Sequence, residues 1–181
     1  HIVLAALNRH QEIEPTIIAV LNLMDAVYKV CADNLDPLPN ECTLLRDWLE
    51  KYIENSAITD CLCRVVASTT KQSDSKYIHD LGEIGACDFV SRSVMTFCTS
   101  KNRNYLLSSL DAAHNMCHGS SANQNRLGKS NLCAFVADSF RRYVNDADVS
   151  LACIKCIVVL TRYTCDPAHQ SVENVRKLEI E

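Results

Sequence analysis

Apolar residues along this chain recur at helical intervals and, on a longer scale, at the interval of a repeat. Cys87, Val90, Val94 and Phe97 fall near the i, i+3, i+4, i+7 template of an amphipathic helix, and Phe135, Val136, Phe140 and Tyr143 trace another. Leu151 to Leu160 is apolar at every position except Lys155, which predicts a helix covered on most sides, capped at its start by Asp146 or Asp148. Pro15 suits the first turn of an earlier helix running through Ile17, Ile18, Leu21, Leu23, Met24 and Val27 to Cys31. Asp36-Pro37-Leu38-Pro39 and Pro167 break the chain, because proline and the residue before it resist helical geometry.

The longer interval is carried by a recurrence. Leu81-Gly82-Glu83-Ile84-Gly85-Ala86-Cys87-Asp88-Phe89-Val90 aligns with the segment from Leu127 to Val136, 46 positions on, with Leu, Gly, Cys, Phe and Val in step. Glu41-Cys42-Thr43-Leu44-Leu45 matches Ala86 to Val90 at a step of 45. A period of about 40 to 47 residues belongs to two- or three-helix repeats. Each unit reads as a short helix, an amphipathic second helix and a longer, more apolar third. The short helix is expected to end at the Leu-Gly pair, with glycine taking the left-handed conformation that closes it. The predicted units are 1–38 (partial, with His1 to His10 ending a second helix), 39–71, 72–118, 119–164 and 165–181 (partial, with His169 to Glu181 opening a further unit). Because His1-Ile2-Val3-Leu4 starts in mid-pattern, the expectation is an array truncated at both ends.

Composition narrows the class. The chain has 181 residues, 48% of them hydrophobic and 22% charged, with only 4 Gly and 4 Pro, too few breakers for a turn-rich β fold. A net charge of −4, with no basic run longer than pairs such as Arg141-Arg142, argues against a nucleic-acid partner. No apolar run approaches the ~18 residues of a membrane span. The 11 cysteines are spread through helical segments among apolar neighbours, as in Val30-Cys31-Ala32, and read as reduced, buried small hydrophobes of a cytoplasmic protein.

The string Leu81 to Val90 resembles the armadillo-repeat signature, in which an Asn-Arg element and Leu-Gly-x-x-Gly-Ala precede the second helix; Asn125-Arg126-Leu127-Gly128 matches the Asn-Arg element too. The resemblance is sharpest over Gln72–Leu160. It implies an all-α, right-handed α-solenoid of about four repeats. HEAT repeats, with two helices per unit, are the near alternative, and the short extra helix favours armadillo. The family's usual function is to bind proteins along the surface formed by third helices.

Peptide-binding members of that family hold an extended backbone with asparagines on successive third helices. Ala113-His114-Asn115-Met116 resembles such a segment, making Asn115 the one clear rung, with Thr69 or Thr70 and Thr161 near the matching positions. The tryptophan that accompanies the rung is missing, since Trp48 falls on a second helix, so a folded surface or a helix is the expected partner. Against this stands a simpler reading, in which Asn115 is satisfied within its own repeat. Lys155, alone in its apolar helix, is expected to reach the concave surface or snorkel from it, and Arg64, Arg103 and Arg162 join it as candidate partner-binding cations.

Other motifs favour structural roles. Cys153-Ile154-Lys155-Cys156 sits mid-helix with no second pair at zinc spacing, and Cys61-Leu62-Cys63 stands apart from it. His114 and His118 are at i and i+4, but at a helix C-terminus, where histidine suits the dipole. No serine-nucleophile elbow, phosphate loop or paired-carboxylate signature is present. The expectation is a non-enzymatic interaction scaffold with protein partners and no cofactor, metal or small-molecule substrate. The alternatives are a permanent component of a cytoskeletal or ciliary assembly and a thiol- or metal-dependent enzyme.

Overall fold

The computed structural model describes residues 13–31, 41–71, 73–97 and 102–162. Expectations about His1 to His10, Asp36 to Pro39, Pro167 and His169 to Glu181 lie outside these. Among the described residues there are nine α-helices and no strand. They are α1 (Glu14–Cys31), α2 (Glu41–Lys51), α3 (Ser56–Thr70), α4 (Ser75–Glu83), α5 (Ala86–Phe97), α6 (Arg103–Cys117), α7 (Ser121–Lys129), α8 (Leu132–Arg142) and α9 (Ala147–Thr161).

Local chemistry sets where these helices begin. The side chains of Asn55, Asp74, Asn102, Ser120 and Asp146 each accept a backbone N–H from the first turn of α3, α4, α6, α7 and α9, satisfying donors that the helix itself leaves free. Pro15 lies in the first turn of α1, as the sequence predicts. Gly85 (φ 102°) and Gly119 (φ 84°) make the left-handed turns between α4 and α5 and between α6 and α7.

One expectation about glycine is corrected. Gly82 and Gly128 do not close their helices; each lies one residue inside the C-terminus of α4 or α7, and Gly82 is not among the positive-φ residues. Gly82 is needed for close approach instead. A Cβ at this position would stand 1.7 Å from Oδ1 of Asn123 on α7. Asn123 is wholly buried, its Nδ2 donating to the carbonyls of Ile78 (2.6 Å) and Met116 (3.1 Å) and its Oδ1 accepting from Arg126 (2.9 Å). Arg126 also reaches Glu83 on α4. Beside Asn123, Gln124 donates to the carbonyls of Leu160 (3.0 Å) and Arg162 (2.8 Å) at the end of α9. These adjacent amides therefore tie α7 to α4, α6 and α9.

The helices pack in three sets. α1 lies against α3, α3 against α6 and α6 against α9; α5 touches α2 and α8; α4 touches α7. Between them runs one core, with Leu21, Leu45, Leu62, Leu81, Leu110, Leu127 and Leu132 fully buried. Trp48 is buried on α2, and Cys87, Val90 and Val94 form the buried face of α5. The expectation that α9 is covered on most sides holds for one side only. Val149, Ala152, Cys153 and Cys156 are buried, but Leu151 (52%), Ile154 (45%) and Val158 (58%) stand exposed, because α6, α7 and α8 occupy the other face.

Candidate functional site

A groove of about 510 Å3 opens across α1, α3, α6 and α9, lined by residues that include Lys29, Arg64, Lys71, His114, Asn115 and Lys155. Three of the sequence-predicted site residues thus converge: Arg64, Asn115 and Lys155. Lys155 is exposed, on the open side of α9.

The caps of α3, α6 and α9 set these helices in register. Counted from Asn55, Asn102 and Asp146, the positions corresponding to Asn115 are Ser68 and Val159, not Thr69, Thr70 or Thr161. The loops before α3, α6 and α9 differ in length, so a step measured at Leu-Gly drifts by the time it reaches these helices. The threonines also turn inward onto their own helices: Thr69 donates to Val65 O (2.9 Å), Thr70 to Val66 O (2.5 Å) and Thr161 to Ile157 O (2.8 Å). On the same register Arg64, Asp111 and Lys155 are equivalent, and so are Lys71, His118 and Arg162.

Asn115 is engaged both across helices and on its own helix. Its Nδ2 donates to Ala67 O on α3 at 2.7 Å. With that nitrogen donating, its Oδ1 is the acceptor for His114 Nδ1–H at 2.9 Å. The His114 and His118 rings lie 6.1 Å apart, centroid to centroid.

The cations divide into committed and open ones. Arg64 donates to Asn22 Oδ1 (2.8 Å) and lies 3.5 Å from Asp25 Oδ2 and 3.4 Å from Asp60 Oδ2. Lys29 meets the same Asp25 oxygen at 2.8 Å, and Ser108 on α6 donates to Asp60 at 2.9 Å. This polar chain joins α1, α3 and α6, with Lys29, Arg64 and Ser108 lining the groove. Asp25 is almost wholly buried, so its flanking cations offset the cost of desolvating a carboxylate.

Arg103 lies outside the groove. It forks onto Asp146 (2.6 and 3.0 Å) and Asp148 (2.5 Å), joining the start of α6 to the start of α9. The Arg103 guanidinium, with help from the Val149 backbone N–H, holds the Asp146 carboxyl down at about 2. Arg162 is exposed at the end of α9.

The thiols Cys61, Cys63, Cys87, Cys117, Cys133, Cys153 and Cys156 are buried and form no disulfide, in keeping with their reading as small hydrophobes. Burial pushes Cys63 and Cys153 up to about 11 and Cys87 up to about 12, so these thiols stay protonated at neutral pH. Cys153 and Cys156 lie within α9, and Cys156 donates to Leu110 O on α6 at 3.1 Å. Among the described residues no group of three or more His, Cys, Asp or Glu is placed to hold a metal ion, and no helix is long and apolar enough to cross a membrane.

Sequence reasoning missed Asn123 and Gln124. The available signal was the polar run Asn123-Gln124-Asn125 just after the Ser120 cap, on a short helix with few apolar residues to bury. No family model, curated protein or solved structure matches this chain.

Proposed function

We propose that this chain is an armadillo-type scaffold that holds a partner protein along the surface made by α1, α3, α6 and α9. The observation carrying this reading is the succession of these four helices, each packed on the next, with one groove running across them. A surface built from equivalent positions on successive helices offers a partner the same chemistry several times over, on a frame whose units each touch only their neighbours. The engagement of Asn115 with Ala67 argues for a folded surface or a helix as partner, because an asparagine already spent on its neighbour has little left for an extended backbone. The three-set arrangement of α4 and α7, of α2, α5 and α8, and of the third helices favours armadillo over a two-helix repeat.

Site-specific photo-crosslinking tests this reading. A crosslinking amino acid in place of Asp111, in the groove, should capture a protein from the source cell. The same group in place of Asp138, exposed on α8, should not. Capture from position 138 alone refutes the reading.

The stripe of Leu151, Ile154 and Val158 favours a second reading, a permanent place in a larger assembly, since exposed apolar stripes of this kind mark interfaces. Burial of that stripe in the native particle, measured by protection from surface labelling, distinguishes the two.

A further inference from the structure

The third helices end alike. Lys71, His118 and Arg162 are the C-cap residues of α3, α6 and α9, all three are exposed, and Lys29 occupies the last turn of α1. A cation at a helix C-terminus is favourable on its own account, because it faces the negative end of the helix dipole. That accounts for one such residue at a time. It does not account for Lys29, Lys71 and His118 lining one groove with Lys155, nor for how the molecule's other cations are used.

Most of those cations are spent. Arg46, Arg64, Arg92, Arg103, Arg126 and Arg141 all have a carboxylate within 4.0 Å, and Lys29 has Asp25. Among the described residues Lys71, Lys155 and Arg162 have none within that distance; Lys71 and Lys155 line the groove and Arg162 ends α9, while Lys76, Lys129 and Arg142, equally open, are scattered over α4, α7 and α8. The groove therefore carries uncommitted positive charge at one edge, in a molecule whose net charge is −4.

We infer that the row Lys71, His118 and Arg162, with Lys155 beside it, reads acidic side chains on a partner helix, one acid per third helix. Packed helices stand about 8–10 Å apart, and residues i and i+7 of a helix lie about 10.5 Å apart on nearly the same face. A helix laid across the groove with Glu or Asp at every seventh position thus presents one carboxylate to each step. Lys71 and Arg162 take the outer two, and His118 supplies an N–H donor to the middle one. A nucleic-acid strand fits less well: Asp111 stands inside the groove, where a uniformly charged backbone would be repelled and a helix can place a neutral residue.

This inference rests on the scaffold reading above and is tested apart from it. The probes are alanine-rich helical peptides of about three heptads, with three glutamates either spaced by seven or clustered, measured by fluorescence anisotropy. At about a factor of two per exposed ion pair, the spaced peptide should bind roughly five- to tenfold tighter than its clustered isomer, and added salt should erase the gap. Lys71→Gln/Arg162→Gln should remove the preference while leaving the urea midpoint near that of the parent, and Lys71→Glu/Arg162→Glu should weaken the spaced peptide further.

Equal binding of the two peptides, a preference that survives both variants, or tighter binding of a single-stranded oligonucleotide of equal charge overturns the inference. A protein that crosslinks from position 111 yet shows no preference loses the acid row and keeps the scaffold. One that does neither loses both.

Discussion

The contact between Gly82 and Asn123 makes a quantitative prediction. Gly82→Ala adds one methyl to a helix interior, a change that in an open helix stabilises by about 1 kcal/mol. Here the added Cβ would stand 1.7 Å from Asn123 Oδ1 and 2.5 Å from its Cγ, so the amide has to leave. Leaving breaks its bonds to Ile78 O and Met116 O and its contact with Arg126, in a place with no water to replace them. At ~1–3 kcal/mol for each buried group left unsatisfied, the loss is at least about 3 kcal/mol, for a net destabilisation of about 2 kcal/mol or more. Measured against the ~5–15 kcal/mol typical of a folded domain, that is a large share. Urea denaturation followed by far-ultraviolet circular dichroism reads it directly. A double-mutant cycle isolates the cause, because in an Asn123→Ala background Gly82→Ala meets no amide and should be neutral or stabilising by up to about 1 kcal/mol. The reasoning fails if Gly82→Ala stabilises the parent, or costs the same in both backgrounds.

Three further outcomes are expected. Replacing Arg103 with Met should raise the Asp146 carboxyl from about 2 toward the ordinary carboxylate value, observable by NMR titration. A depressed folded pKa contributes stability above the unfolded value of ~3.9 that is lost as pH falls through the folded one, so the parent should lose stability from about pH 4 down to 2 more steeply than the variant. Gln124→Ala frees the carbonyls of Leu160 and Arg162, and hydrogen exchange in the last turn of α9 should quicken by a local cost of about 1–3 kcal/mol. Cys63, Cys87 and Cys153, held protonated by burial, should resist alkylation at about pH 8 until denaturant is added, as peptide mass spectrometry would show; rapid labelling of the native protein would contradict their placement.

Much of the helical layout was legible because it is written locally. Cap residues, the proline of α1 and the apolar spacing in α5 act within a few positions of themselves, and the helices begin where these signals stand. The groove was half legible. Lys155 shows in the sequence as a lone charge in an apolar helix. Arg64 and Arg103 look equally free there, yet one is tied to Asp25 and Asp60 and the other to Asp146 and Asp148, partners up to 45 positions away.

The glycine of the Leu-Gly pair draws the same line. By itself the sequence determined that the chain is helical, where α1 and α9 start, and which residues recur at the 45- to 46-residue step, because propensity, capping and periodicity are local properties. Only the tertiary structure decided what the recurring residues are for. Gly82 makes room for an asparagine 41 positions later, Asn115 is spent on the helix before it, and Lys71, His118 and Lys155 come to one groove, because these depend on which faces meet after packing.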